Sequence, residues 1–153
     1  MLSPAAKSPA VRKSMQGNKG KDTKPELAVR KMLREAGYPG YRLQWKKAPG
    51  KPDIAYPGRK IAIFVNGCFW HRCPKCNLPI PKTHPEYWAE KFRRNVERDQ
   101  RKIEELELAG WKVLTIWECD LKDAQKKKDI EYAFIKLVDD GEEEAEEPPA
   151  EDE

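Results

Sequence analysis

The segment KIAIFV, residues 60–65, has five consecutive apolar side chains, and three of them are β-branched. Such a run is typical of a strand that is buried on both faces of a sheet. Two shorter strands are predicted before it, at 41–45 and at 53–56, with Pro-Gly turn signals after each. Three strands in such close succession predict an antiparallel meander.

Helical patterns lie on both sides of this meander. Thr23 begins T-K-P-E, a capping box with Glu26, and Gly37 ends the helix that follows. A second capping box at Thr83 opens a long helix to about residue 109, and Gly110 ends it. A strand at 111–118 and a helix at 129–138 complete the order α-β-β-β-α-β-α. The last strand returns through a helix and can lie parallel to its neighbour, which predicts a mixed α/β domain of two or three layers.

The composition excludes several classes of protein. The chain has 153 residues, enough for one buried core, with 39% hydrophobic and 37% charged residues. No run of 18 apolar residues is present, so the sequence predicts no membrane helix. The first fifteen residues lack the apolar segment of a secretory signal, and we expect a cytoplasmic protein.

Charge is distributed unevenly along the chain. Residues 139–153 hold ten acids and no bases, so residues 1–138 carry 30 bases and 16 acids, a net +14. We predict a flexible basic arm at 1–22, one folded domain at 23–138 and a disordered acidic tail at 139–153. A basic body suggests a polyanionic partner, nucleic acid first, although the charge could serve solubility alone.

The four cysteines are Cys68, Cys73, Cys76 and Cys119. Cys73 and Cys76 form a C-x2-C knuckle, a spacing that lets two thiolates reach one tetrahedral Zn²⁺, and the other two could complete a closed structural site. The alternatives are a redox C-x-x-C pair and independent buried thiols.

Polar candidates for chemistry surround the apolar segment. Asp53 opens a strand that neighbours the end of the 60–65 strand, where a carboxylate could hold a hard cation; a simple turn aspartate is the alternative. His71 could be a zinc ligand, a surface residue or a general acid or base. Glu26 has an ordinary role in its capping box.

Aromatic and basic residues follow. Phe69 and Trp70 are adjacent in a polar loop and could stack on nucleotide bases or form a small satellite core. Lys91 and Asn95 share one face of the long basic helix, and both side chains can hydrogen-bond base edges.

Four segments resemble the very-short-patch-repair (Vsr-type) DNA mismatch endonucleases: P-G-K-P-D at 49–53, I-F-V-N-G-C-F-W-H-R-C-P-K-C at 63–76, W-A-E-K-F-R-R-N-V-E-R-D at 88–99 and G-W-K-V-L-T-I-W-E-C at 110–119. The similarity runs from about residue 12 to about residue 123. It implies a restriction-endonuclease-like mixed sheet with an α-β-β-β-α-β core. It also implies nicking of one strand of double-stranded DNA beside a T·G mismatch left by deamination of 5-methylcytosine. A nucleoid-associated location and mismatch-repair proteins as candidate partners would follow.

The resemblance also implies residue roles. Asp53 resembles the aspartate that binds Mg²⁺, with the Val65 backbone carbonyl as a second ligand. His71 resembles the catalytic histidine, and Glu26 the acid that engages it or a metal-bound water. The DNA-binding residues implied are an aromatic wedge of Phe69, Trp70 and Trp88, the groove readers Lys91 and Asn95, and Met15 in the arm.

The chain departs from the family pattern at several positions. Asn66 stands where the family often has a second catalytic histidine, and an amide cannot take up a proton near neutral pH. We predict that Asn66 holds the phosphate or the nucleophile. Asn18 replaces an apolar arm residue. Phe64 stands where broader relatives of the fold carry a metal-binding acid, and the four-cysteine zinc set includes a histidine in some relatives.

These departures keep other functions open. The main alternative is a zinc-stapled protein that binds mismatched or distorted DNA with little or no nuclease activity, and Asn66 favours it. A restriction-like nuclease for other DNA and a thiol-redox protein are further alternatives.

Overall fold

A computed structural model of the protein describes residues 21–146. Its helices and strands follow the chain as α1 (Lys24–Glu35), β1 (Arg42–Leu43), β2 (Ile54–Tyr56), β3 (Ile61–Asn66), α2 (Cys68–His71), α3 (Pro85–Leu108), β4 (Lys112–Trp117), a 3-10 helix (Glu118–Lys122) and α4 (Ala124–Glu146). This order confirms the mixed α/β fold that the sequence predicts.

The four strands form one mixed sheet in the order β1-β2-β3-β4. β1 with β2 and β2 with β3 are antiparallel, and Ile54 pairs with Ile63. β4 returns parallel to β3, with Val65 opposite Ile116. The predicted meander and the predicted parallel return are both confirmed.

Strand β3 is buried along its whole length, because helices cover both faces of the sheet. Its odd-numbered residues join a core with Val29 of α1 and Phe134 of α4. Its even-numbered residues, Ala62 and Phe64, pack in a second core with Leu106 of α3. Since side chains alternate between the faces of a strand, the domain has three layers, helix–sheet–helix.

The helix ends agree with the sequence in part. Helices α1 and α3 end as predicted at Gly37 and Gly110, where the next N–H closes a six-residue turn, Tyr38 to Leu33 and Trp111 to Leu106, each at 2.9 Å. The capping box predicted at Thr83 is wrong. His84 is the N-cap of α3 instead; it has a left-handed backbone with φ +55° and makes no side-chain capping hydrogen bond.

Three other predicted bounds also differ. The strand predicted at 41–45 is reduced to Arg42–Leu43, because Gln44 takes a left-handed conformation with φ +47°. The segment 66–84, predicted as loop, contains the short helix α2. Helix α4 is longer than predicted on both sides of 129–138, and glutamates are good helix formers once a helix is nucleated.

Helix α4 therefore continues through residues 139–146, which the sequence assigns to the disordered tail. Residues 1–20 and 147–153, with the predicted arm contact at Met15, lie outside the described residues. No helix within residues 21–146 is both long and apolar enough to cross a membrane.

Candidate active site

The carboxylate of Asp53 lies against the end of the central strand. Its Oδ2 accepts a hydrogen bond from the Val65 N–H at 2.8 Å. The β2–β3 register, continued by two residues, sets Val65 opposite Pro52. Because proline has no N–H, it offers no ladder donor to the Val65 carbonyl at that position. The Pro-Asp pair thus places a carboxylate beside a backbone oxygen at the strand end.

Burial raises the pKa of the Asp53 carboxyl above its ordinary value. The Val65 N–H, a positive charge on His71 and the Lys102 ammonium each lower that pKa in part. Burial thus outweighs the contacts that stabilise the ionised Asp53 carboxylate. A carboxylate beside a backbone carbonyl is a donor set that a hard cation prefers.

Glu26 is a second buried acid in the same region, and its residue is only 3% exposed. Its Oε2 accepts hydrogen bonds from the Asp22 N–H at 2.8 Å and from Arg30 at 3.2 Å. Burial raises the pKa of Glu26, and the charge of Asp53 raises this pKa further, so the two carboxylates are close enough to interact.

Only one of the two hydrogen bonds of the capping box predicted at Thr23 and Glu26 is present. Thr23 Oγ1 accepts the N–H of Glu26 at 3.3 Å, as a capping box requires. The Glu26 carboxylate bonds to the N–H of Asp22 and not to that of Thr23. Glu26 therefore closes the helix start and also faces Asp53.

His71 is held by an acid that the sequence reasoning did not select. Its Nδ1 lies 2.6 Å from Oδ2 of Asp99, on helix α3. This contact assigns the proton to Nδ1 and leaves Nε2 as the second functional nitrogen. Asp99 ends the N-V-E-R-D segment, and its separation of 28 positions from His71 explains why local pattern alone could not pair them.

Two more residues near Asp53 were missed. The side-chain Nε2 of Gln44 is buried and has no hydrogen-bond partner among residues 21–146, yet Gln44 is near enough to lower the pKa of Asp53 slightly. Lys102 is fixed by Gly50, where an added Cβ would lie 2.7 Å from Lys102 Cβ and where φ is +73°. Only glycine suits both the contact and the backbone.

A cleft of about 400 Å³ opens beside these residues. One wall is a row of bases on helix α3, Lys91, Arg94, Arg98 and Lys102, and His71 with Asp99 lie in the same cleft. Arg93, on the same helix, is instead engaged by Glu90 and Glu97, at 2.5 and 2.6 Å. The cleft therefore concentrates positive charge next to a buried pair of acids, an arrangement suited to a phosphate backbone.

The predicted aromatic residues form one cluster beside the cleft. The Phe69 ring centroid lies 5.0 Å from that of Trp70 and 6.1 Å from that of Trp88. Phe69 and Trp70 are partly exposed, whereas Trp88 is 2% exposed. The buried Trp88 ring thus packs against the rings of Phe69 and Trp70.

The two predicted groove readers both contact Trp70. Asn95 donates a hydrogen bond from Nδ2 to the Trp70 carbonyl at 3.3 Å. The Lys91 ammonium lies 5.5 Å from the centre of the Trp70 ring. Asn66, the last residue of β3, is 7% exposed and pairs with Trp117 in the sheet. The predicted DNA-contacting residues of the described chain are therefore neighbours.

The four cysteines meet beyond the ends of β3 and β4. All four sulfur atoms lie within 4.8 Å of one another. The Sγ atoms of Cys73 and Cys119 are 3.8 Å apart. A tetrahedron with metal–sulfur bonds of about 2.3 Å has sulfur–sulfur edges of about 3.8 Å. The cluster could hold a metal, as the cysteine spacing predicts.

Neighbouring groups tie this cluster to the rest of the domain. The Cys68 N–H donates to Oε1 of Glu118 at 3.4 Å, and Lys75 pairs with Asp120. Burial raises the pKa of the Cys68 thiol. At Cys73 burial acts in the same direction, but backbone N–H groups outweigh it and lower the pKa. Arg72 stacks on Phe92 of α3, 4.2 Å from its ring centre.

Comparison with known proteins gives one consistent result. The family model described as DNA mismatch endonuclease Vsr matches residues 6–78. The chain is 44% identical over 110 residues to the type II nicking enzyme V.XorIIP of Xanthomonas oryzae pv. oryzae, covering 71% of this chain and 79% of that protein. It is 45% identical over 118 residues to the type II nicking enzyme V.NaeI of Lentzea aerocolonigenes, with 73% and 70% covered. It is 38% identical over 117 residues to the DNA mismatch endonuclease Vsr of Escherichia coli, with 76% and 74% covered.

Proposed function

The chain belongs to the Vsr family of DNA endonucleases, whose fold is restriction-endonuclease-like, and from this membership we propose that it nicks one strand of duplex DNA beside a T·G mismatch. The observation that carries the proposal is the buried pair Asp53 and Glu26, set beside the His71–Asp99 contact at the edge of a basic cleft. With chromosomal DNA as substrate, the protein would act at the nucleoid in the cytoplasm, where mismatch-repair proteins are candidate partners.

Asp53 and the Val65 carbonyl are the proposed ligands of a catalytic Mg²⁺. Both offer oxygen, which Mg²⁺ prefers, and a bound cation would compensate the burial of the Asp53 carboxylate. When bound, Mg²⁺ stabilises the charge that develops on the reacting phosphate. Glu26 faces the same region and would orient a water molecule through its carboxylate.

His71 is the proposed general base. Because Asp99 binds Nδ1, the Nε2 atom would accept a proton from the attacking water, and the Asp99 carboxylate would stabilise the imidazolium that results. Asn66 cannot take up that proton, so its amide is assigned to holding a phosphate oxygen or the nucleophile. One histidine then does the proton transfer alone.

Mismatch selection is assigned to the aromatic cluster. Phe69 and Trp70 would stack at the mismatched step, with the buried Trp88 as their support. Unstacking costs a few kcal/mol for each step and is least for a mismatched pair, so insertion itself favours T·G. Lys91 and Asn95, both beside Trp70, would contact the groove there.

The cysteine cluster is the proposed site of a structural Zn²⁺. Four thiolates leave no open position for substrate, which distinguishes a structural from a catalytic zinc site. Through Cys68 and Cys119, the metal would link helix α2, which carries Phe69 and Trp70, to the end of β4.

A second candidate function is mismatch binding without cleavage. The observation that favours it is Asn66, a neutral amide at a buried strand end where the family pattern often has a histidine. Retention of the Asp53, Glu26, His71 and Asp99 constellation favours the endonuclease.

A nicking assay on matched duplexes tests the proposal. Each duplex carries a strand-specific label and differs only in T·G, C·G or T·A at one position, with Mg²⁺ present. We expect nicks in the T strand of the T·G duplex alone. Equal nicking of all three would identify a nuclease of other specificity, and tighter binding to T·G without nicks would support the binding protein.

The Trp70→Ala variant sharpens the selectivity argument. Without this ring the T·G preference of nicking should fall by about tenfold or more, since base stacking contributes roughly 1–3 kcal/mol. Tyr132→Ala, which removes an exposed ring on α4, is the matched control. An unchanged ratio of T·G to C·G nicking in Trp70→Ala would show that the Trp70 ring does not contribute to mismatch selection.

A further inference from the structure

We infer that the Lys102 ammonium is a catalytic cation, which contacts the DNA phosphate that lies over Asp53. Lys102 is on helix α3 and lines the same cleft as His71 and Asp99. The inference rests on the proposed function and deepens it, because it adds a residue that the resemblance and the sequence patterns do not single out.

The position of Lys102 is fixed by packing. The Gly50 backbone lies so close to the Lys102 stem that an added Cβ would be 2.7 Å from Cβ and 2.9 Å from Cγ. Gly50 belongs to the segment that leads directly to Asp53. The loop that carries the acid and the helix that carries the base are therefore in contact, which sets the ammonium on the Asp53 side of the cleft.

The Lys102 ammonium is not neutralised by an acid. No ion pair within 4 Å engages Lys102 among residues 21–146. Arg93, on the same helix, is paired with two glutamates. Lys102 therefore differs from Arg93 in having no such acidic partner among residues 21–146. A half-buried cation with three free donors is suited to phosphate oxygens.

The chemistry of the site leaves a task for such a group. Negative charge grows on the phosphate oxygens during hydrolysis, and a fixed cation stabilises this charge more in the transition state than in the bound substrate. Asn66 carries no charge, and His71 is committed to Asp99 at Nδ1. Lys102 is the base in the cleft whose stem packs on Gly50, in the segment that leads to Asp53.

Lys102→Met tests the inference, because it removes the charge and keeps the stem that packs on Gly50. The matched control is Arg101→Gln, which removes one charge from an exposed position that does not line the cleft. Two quantities are measured with full-length protein and the T·G duplex: the single-turnover nicking rate with Mg²⁺, and the dependence of the binding constant on NaCl with Ca²⁺ replacing Mg²⁺.

We expect Lys102→Met to nick about 100-fold more slowly and to lower the salt slope of binding by about 1, while Lys102→Arg restores the slope. Arg101→Gln should leave the nicking rate near wild type. If Lys102→Met has the wild-type rate and slope, the inference is overturned. If wild-type protein binds the duplex but never nicks it, the proposed function fails, and the salt slopes alone decide whether Lys102 contacts phosphate.

Discussion

The cysteine cluster and the buried acids beside the basic cleft lie at the same end of the sheet, where β3 and β4 finish, but their donor groups are arranged in opposite ways. The four cysteine sulfur atoms lie within 4.8 Å of one another, close enough to bind a single tetrahedral metal ion. Asp53 and Glu26 are instead buried acids with raised pKa values, next to an open cleft. One site is closed, and the other leaves room for a substrate.

This difference separates a proposed metal site, which would stabilise the fold, from the Asp53 carboxylate, whose burial costs stability. A closed thiolate site adds the free energy of metal binding to the free energy of folding. A buried carboxylate without a compensating charge costs stability, and such strained sites are typical of catalytic centres. The comparison predicts that substitutions in the two sites have opposite effects on stability and on activity.

The largest effect is expected at the closed site. Cys73→Ser should lower the free energy of unfolding by about 4 kcal/mol or more, because it removes one of the four proposed metal ligands. Urea unfolding, with the zinc content measured on the same samples, checks this expectation. Lys31→Ser, which breaks only an exposed ion pair with Glu35 on α1, is the matched control. A zinc-free Cys73→Ser protein with the wild-type free energy of unfolding would show that the cluster does not stabilise the fold by binding a metal.

A smaller effect, on activity alone, is expected at Asp99. Asp99→Asn should slow single-turnover nicking about 100-fold, or about 3 kcal/mol of transition-state stabilisation, because His71 loses the carboxylate that stabilises its imidazolium. Affinity for the duplex and unfolding should change little. Asp123→Asn makes the same exchange at an exposed position near the start of α4. Equal rates in the two variants would show that Asp99 has no part in catalysis.

The smallest effect is a gain in stability at Asp53. Because its folded-state pKa is raised above the unfolded value near 3.8, the folded protein holds this proton more tightly. The associated stability is present at low pH and is lost as the pH rises from about 3.8 through the folded pKa. At pH 7.5, without added divalent cations, Asp53→Asn should therefore be more stable than wild type by about 1 kcal/mol.

Urea unfolding of this variant over a pH series downward from 7.5 measures the gain. The difference in unfolding free energy between wild type and Asp53→Asn should narrow as the pH falls through the raised folded-state pKa of Asp53. Asp139→Asn, at an exposed position on α4, should show no such dependence. A less stable Asp53→Asn protein at pH 7.5 would contradict the account of a desolvated charge.

Much of the fold was predictable, because its signals are local. An apolar run at 60–65 fixes the central strand, and the short turn signals before it leave room only for hairpin connections. The cysteine cluster was equally accessible, since the C-x2-C spacing itself defines half of a tetrahedral site. The helix ends at Gly37 and Gly110 follow from glycine in the same way.

The cleft was only partly predictable, because its geometry depends on contacts between distant segments. Asp53 stands out by its place beside the strand end, but the bond between His71 and Asp99 joins two helices that no periodicity relates. The alternating pattern at 41–45 predicts that Gln44 is a strand residue, and only the folded structure shows its left-handed backbone conformation. Lys102 looks like any other base on a solvated helix until Gly50 is packed against it.

The most direct test is a comparison of wild type and Asp53→Asn on one labelled T·G duplex with Mg²⁺, measuring single-turnover nicking and equilibrium binding together. We predict that wild type nicks the T strand and that Asp53→Asn binds with similar affinity but nicks at least about 1000-fold more slowly. Nicking by Asp53→Asn at the wild-type rate would contradict the assignment of the open site. Binding without nicks by both proteins would place the chain among mismatch-binding proteins.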